Sequence, residues 1–232
     1  MKISEIKPLE KIIGVSFENV DLYYAALTHR SYLNEEPSWP HGHNERLEYL
    51  GDAVLELAVS EFLYKKFPDS PEGKLTLLRA SLVNYQLLAR VAEDFNLNKF
   101  IFMSRGENRD MGKAREVILA NAIEALIGAV YLDHGFEMSR GFIDRFVMTR
   151  LDEIMRSGSY KDPKSELQEI IQERRKLTPS YRVLAETGPA HQRVFRIGVY
   201  FGDEFIAEGE GSSKQEGETE AARKALEKVR GN

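Results

Sequence analysis

From the N-terminus to about residue 155, apolar residues recur at helical spacing, as in Ile3, Ile6, Leu9 and Ile12 to Ile13, or Leu75, Leu78, Leu82 and Leu87 to Leu88. That period predicts an all-helical first part. Its helices are separated by the breaker-rich stretches NEEPSWPHGHN (34–44), FPDSPEGK (67–74) and SRGENRDMGKA (104–114). At RSGSYKDP (156–163) the composition turns small and polar, as in an interdomain linker. Beyond it, PKSELQEIIQERRK opens on Pro163 and carries Leu167, Ile170 and Ile171 on one helical face. The period then falls to 2 through SYRVLAETG, RVFRIGVYF and EFIAEGEG, and SKQEGETEAARKALEKVR returns to helix. The expected fold class is multidomain: an all-α domain over 1–156, a linker over 157–162, and an α-β-β-β-α (α+β) domain over 163–232.

A chain of 232 residues that is 42% hydrophobic can bury a real core. No run approaches the roughly 20 apolar residues of a bilayer span, and the start MKISEIKPLEKIIG lacks the long apolar segment of a secretory signal, so a cytoplasmic protein with no membrane partner is expected. The absence of cysteine excludes disulfides and thiolate metal sites, leaving oxygen and imidazole as ligands. A net charge of −5 argues against bulk attraction to nucleic acid. Residues 161–232 are balanced, with 13 basic and 13 acidic side chains, so any phosphate binding there rests on a few well-placed groups.

Two apolar helices carry polar intrusions. In NERLEYLGDAVLELAVSEFLY (44–64), Glu48 and Asp52 stand four residues apart on one face, and Glu45 and Glu56 extend the stripe. In ILANAIEALIGAVYL (118–132), Asn121 and Glu124 stand three apart. If the two helices cross, four oxygen-bearing side chains meet, a donor set suited to Mg²⁺ or Mn²⁺. Spacing alone also allows a solvated acidic face on the first helix and a locally satisfied buried pair on the second. Gly51 favours the crossing, because a glycine inside a helix costs roughly 1 kcal/mol against alanine and marks a close backbone approach. His29 reads as structural, and His41 and His43 lie in a loop without zinc spacing.

On these residues the chain resembles bacterial ribonuclease III: NERLEYLGDAVLELAVSEFLY is similar to that family's signature, and EGKLTLLRASLVN, EVILANAIEALIGAVYLD and the α-β-β-β-α tail follow in the family's order. The resemblance implies a Mg²⁺-dependent endonuclease, with Mn²⁺ able to substitute and no organic cofactor, that cuts double-stranded RNA as a homodimer. The products would carry 5′-phosphates and 3′-hydroxyls, and ribosomal precursors and messages would be processed. It implies Glu48, Asp52, Asn121 and Glu124 as metal ligands, with Asp52 and Glu124 catalytic. The family has an aspartate where this chain has Asn121, and the missing charge should weaken metal affinity while keeping geometry. The face around Tyr49 and Leu50 would pack across the dimer.

The tail resembles a double-stranded RNA-binding domain, which reads duplexes mostly by shape. By position, Gln168, Gln172 and His191 would enter minor grooves, and Lys214 would meet phosphate at a helix N-terminus. The family's run of basic residues is thinned here to Lys214 followed by Gln215 and Glu216, and Gly217 should weaken the first turns of the last helix. A second reading, a double-stranded RNA-binding protein of this fold with weakened or lost cleavage, rests on Asn121 and that thinned patch. The retention of Glu48, Asp52 and Glu124 in apolar helices weighs against it.

Overall fold

The computed structural model describes residues 6–107, 112–158, 160–189 and 193–230. The chain divides between Tyr160 and Lys161 into two compact units. The first is helical: α1 (Lys7–Ile13), α2 (Val20–Ala26), α3 (Tyr32–Glu35), α4 (Glu45–Lys66), α5 (Glu72–Leu82), α6 (Tyr85–Asp94), α7 (Lys113–His134), α8 (Phe136–Phe146) and α9 (Leu151–Ser157). The breaker-rich stretches fall for the most part between helices, although α3 runs on to Glu35, α5 begins at Glu72 and α7 at Lys113, each inside a stretch expected to be a loop. Part of the third stretch, 108–111, lies outside the described residues.

Helix α7 organises this unit. It is apolar nearly all round, and a helix of that kind must be surrounded; α2, α4, α6 and α8 all pack on it. Ile118, Leu119, Ile123, Leu126, Ile127 and Val130 are buried. By length and composition α7 could cross a membrane, contrary to the expectation that no segment approaches such a span, yet 61% of its apolar stretch is buried inside the protein. Asp133 at its C-terminal end accepts hydrogen bonds from the Glu18 and Asn19 amides, each at 3.0 Å, and from the Tyr23 hydroxyl at 2.9 Å. This side chain therefore ties the entry of α2 to α7.

The second unit has α10 (Pro163–Arg175), β1 (Pro179–Thr187), β2 (Val194–Phe201), β3 (Glu204–Gly211) and α11 (Lys214–Arg230). Asp162 caps α10, accepting from the Ser165 amide at 2.9 Å. The sheet is antiparallel in the order β1-β2-β3. Leu167 and Ile171 of α10 and Ala221, Ala222 and Ala225 of α11 form one core with Val199, Phe201 and Ala207 of the sheet. Gly217 packs α11 on the sheet, since a Cβ there would stand 2.6 Å from Ile197 Cγ1, and the helix forms from Lys214 despite it.

Candidate active site and nucleic-acid interface

The polar side chains of α4 and α7 are brought together by a contact between backbones. A Cβ on Gly51 would lie 1.7 Å from the Glu124 carbonyl oxygen, and one on Gly128 would lie 2.3 Å from the Leu47 carbonyl oxygen. Only glycine lets the two helices close to this distance, and the crossing sets Asp52, the residue after Gly51, against Glu124. The Asn121 side chain hydrogen-bonds the Glu48 carboxylate. Glu48, Asp52, Asn121 and Glu124 therefore share one helix crossing, with Asp52 and Glu56 on its exposed side. Glu45 turns outward and pairs with Arg30 at 3.1 Å, while Glu56 is exposed.

Electrostatics at the crossing follow from burial and like charge. Burial first, then the Asp52 and Glu48 carboxylates, push the Glu124 carboxyl up to about 8. Burial and then Glu45 raise Glu48, and the Asn121 hydrogen bond draws it part of the way back. Asp52 is raised by burial and then by Glu56. Three carboxyl groups that disfavour one another's charge, beside an amide oxygen, form a donor set that fits a hard divalent cation. Among the described residues, no three acidic or imidazole side chains already converge as ligands do around one ion. Glu48 is half-buried and Asp52 exposed, so both have room to turn.

His29 and His41 serve structure. His29 Nδ1 shares a hydrogen bond with Ser31 Oγ at 2.8 Å, and that hydroxyl accepts from the Ser104 amide at 3.0 Å; burial lowers the His29 pKa. His41 pairs with Asp21 at 3.0 Å and stacks on Tyr24. Next to Tyr49, which is 82% exposed, and half-buried Leu50 runs a groove of about 560 Å³ lined by Leu22, Leu47, Leu50 and Leu132 and edged by His41 and Arg46.

In the second unit, Gln168 and Gln172 stand exposed one turn apart on α10, and Lys214 stands exposed at the start of α11. His191 lies outside the described residues. Glu216, expected to thin the basic patch, also accepts from the Ser212 amide at 2.9 Å and from its hydroxyl at 2.6 Å, which fixes the turn into α11. Lys164 did not enter the set drawn from the sequence, although it precedes Gln168 by one turn; its Nζ donates to Glu218 Oε2 at 2.6 Å.

Comparison with known proteins matches residues 19–151 to the family model Ribonuclease-III-like and residues 163–229 to the Double-stranded RNA binding motif. The chain is similar to the protein named Ribonuclease 3 of Carboxydothermus hydrogenoformans, 46% identical over 219 residues that cover 94% of this chain and 93% of the relative. It is also similar to that of Dehalococcoides mccartyi, 44% identical over 223 residues, with 96% and 94% covered. In structure it is similar to the nuclease domain of ribonuclease III from Campylobacter jejuni, with a TM-score of 0.57 at 42% identity, covering 62% of this chain and 96% of that one.

Proposed function

The chain belongs to the ribonuclease III family, and from that premise we propose that it is a metal-dependent endoribonuclease that hydrolyses double-stranded RNA to 5′-phosphate and 3′-hydroxyl ends. The observation that carries this reading is the glycine-closed crossing of α4 and α7, which collects Glu48, Asp52, Asn121 and Glu124 in one place. These four side chains would hold Mg²⁺, with Mn²⁺ able to replace it. Bound there, the cation would neutralise phosphodiester charge and assist attack by water. Asp52 and Glu124 are the catalytic pair, facing the reacting phosphate from the two helices. Asn121 holds Glu48 in place through its amide.

Gln168, Gln172 and His191 read the duplex, Lys214 contacts phosphate, and residues 157–162 serve as the linker between the units. The protein works as a homodimer in the cytoplasm, on ribosomal precursors and messages. The apolar groove beside Leu50 and the projecting Tyr49 support the dimer, since a patch of that kind on a free surface calls for a partner. Incubation of the full chain with a long RNA duplex, in Mg²⁺ or in EDTA, tests the reading. Cuts on both strands in Mg²⁺ alone are expected. Tight duplex binding without cleavage at any Mg²⁺ or Mn²⁺ concentration would instead assign a binding protein that has lost catalysis, the reading that Asn121 favours.

A further inference from the structure

Lys164, Gln168 and Gln172 fall at i, i+4 and i+8 on α10, and Lys214 and Glu218 at i and i+4 on α11. The Lys164–Glu218 ion pair, 2.6 Å long, joins these two stripes. Its side chains are 35% and 29% exposed, so both ends reach solvent. Beneath it lies Tyr181, whose ring centroid is 5.0 Å from the ammonium and whose hydroxyl is buried with no hydrogen-bond partner among the described residues. We propose that Glu218 sets the affinity for RNA: a built-in counter-ion that occupies Lys164 and competes with the duplex phosphate for it. This inference rests on the RNA-interface reading above.

Lys164 continues the line of Gln168 and Gln172, so a duplex lying along that line comes within reach of its ammonium. Half-exposed ion pairs contribute little, about 0–1 kcal/mol, so losing this one in a Glu218 variant costs the fold little. While the pair stands, the carboxylate faces any phosphate that nears the ammonium, one turn from Lys214, and its repulsion offsets most of what Lys164 would gain. Burial first and then Glu218 raise the Tyr181 hydroxyl to about 12, so the phenol stays neutral and does not compete for the ammonium as an anion. The alternative role is that of a strut between α10 and α11. That work is already shared by the core of Leu167, Ile171, Ala221 and Ala225 and by the Arg230–Glu166 pair at 2.7 Å.

The test measures duplex binding by the full chain in EDTA across a range of salt, for the natural protein, Glu218→Gln, Lys164→Ala and the double variant, with melting curves alongside. Glu218→Gln should tighten binding about threefold at low salt, the fold-change of a weak surface pair. It should also steepen the plot of log K against log salt by about one unit, as one more free cation meets phosphate. Lys164→Ala should abolish that gain in the double variant while altering the slope little on its own. Glu218→Ala, a second variant, should behave like Glu218→Gln. A slope that does not change, or one that steepens equally without Lys164, would overturn the proposal while leaving the RNA interface standing. Failure of the natural protein to bind duplex at all would remove both. A loss of melting temperature in Glu218→Gln and Glu218→Ala with weaker binding and no change of slope would assign the strut role instead.

Discussion

Glu124 holds its proton to about pH 8 because burial and two neighbouring carboxylates disfavour its charge. In the unfolded chain the same group ionises near its ordinary value of 4.5. Its folded pKa is therefore raised, so the stability it contributes is complete below about pH 4.5 and is lost as pH rises through about 8. Metal-free protein should melt at progressively lower temperature between those limits, and Glu124→Gln should flatten the trend. Thermal melts in EDTA at several pH values check this, and an unchanged trend in the variant would reassign the effect to other groups. Asn121 presents the complementary case. Asn121→Asp removes the amide that holds Glu48 and adds a fourth charge to the crossing. We expect the Mg²⁺ needed for half-maximal cleavage to fall, together with some loss of stability in EDTA. A metal titration of cleavage reads the first effect and melting the second.

Among the elements, α4 and α7 depend on each other through Gly51 and Gly128. Alanine is the better helix former by about 1 kcal/mol, yet Gly51→Ala should destabilise. Its Cβ meets the Glu124 backbone at 1.7 Å, and a backbone atom cannot move aside as a side chain can. Overpacking costs typically 1–3 kcal/mol, and this contact belongs at the upper end of that range. The variant should also lose cleavage as Asp52 and Glu124 are forced apart. Gly217→Ala should also destabilise, but less: its Cβ would stand 2.6 Å from Ile197 Cγ1 on a buried branched side chain and 3.2 Å from the Phe195 carbonyl oxygen, against the 1.7 Å backbone contact at Gly51. Chemical denaturation midpoints of the two variants give the comparison directly, and equal destabilisation would contradict the distinction. The expectation that Gly217 weakens α11 took account of propensity alone and could not include the packing against Ile197 that makes a small residue useful there.

For the whole molecule, the proposed homodimer would cover the apolar groove beside Leu50 and the 82%-exposed Tyr49. Sedimentation at micromolar concentration should give a dimer of the 26.5 kDa chain. Tyr49→Asp should shift it to monomer while leaving its helical circular dichroism intact. The two compact units imply a division of labour that variants can separate. Glu124→Gln should abolish cleavage and leave duplex affinity nearly unchanged. Lys214→Ala should weaken binding and lower the salt slope by about one unit. Equal effects of both changes on binding would contradict the division.

The amino-acid sequence by itself determined the element types and their order, because periodicity of apolar residues is a local property that survives without tertiary context. The change from a period near 3.6 to a period of 2 separates α1 to α10 from the sheet, and the segments read as strands coincide with β1, β2 and β3 to within a residue. It also placed Gly51 at a close approach, since a helical glycine needs a reason to be there. Tertiary structure alone decided which backbone approaches, that Asn121 bonds Glu48, that Glu124 is the most strongly raised of the three carboxyls, and that Lys164 is held by Glu218. Each of these joins residues more than 50 positions apart in the chain, and a charge or hydrogen bond acts over a few ångströms of space, a separation that residue spacing along the sequence does not record.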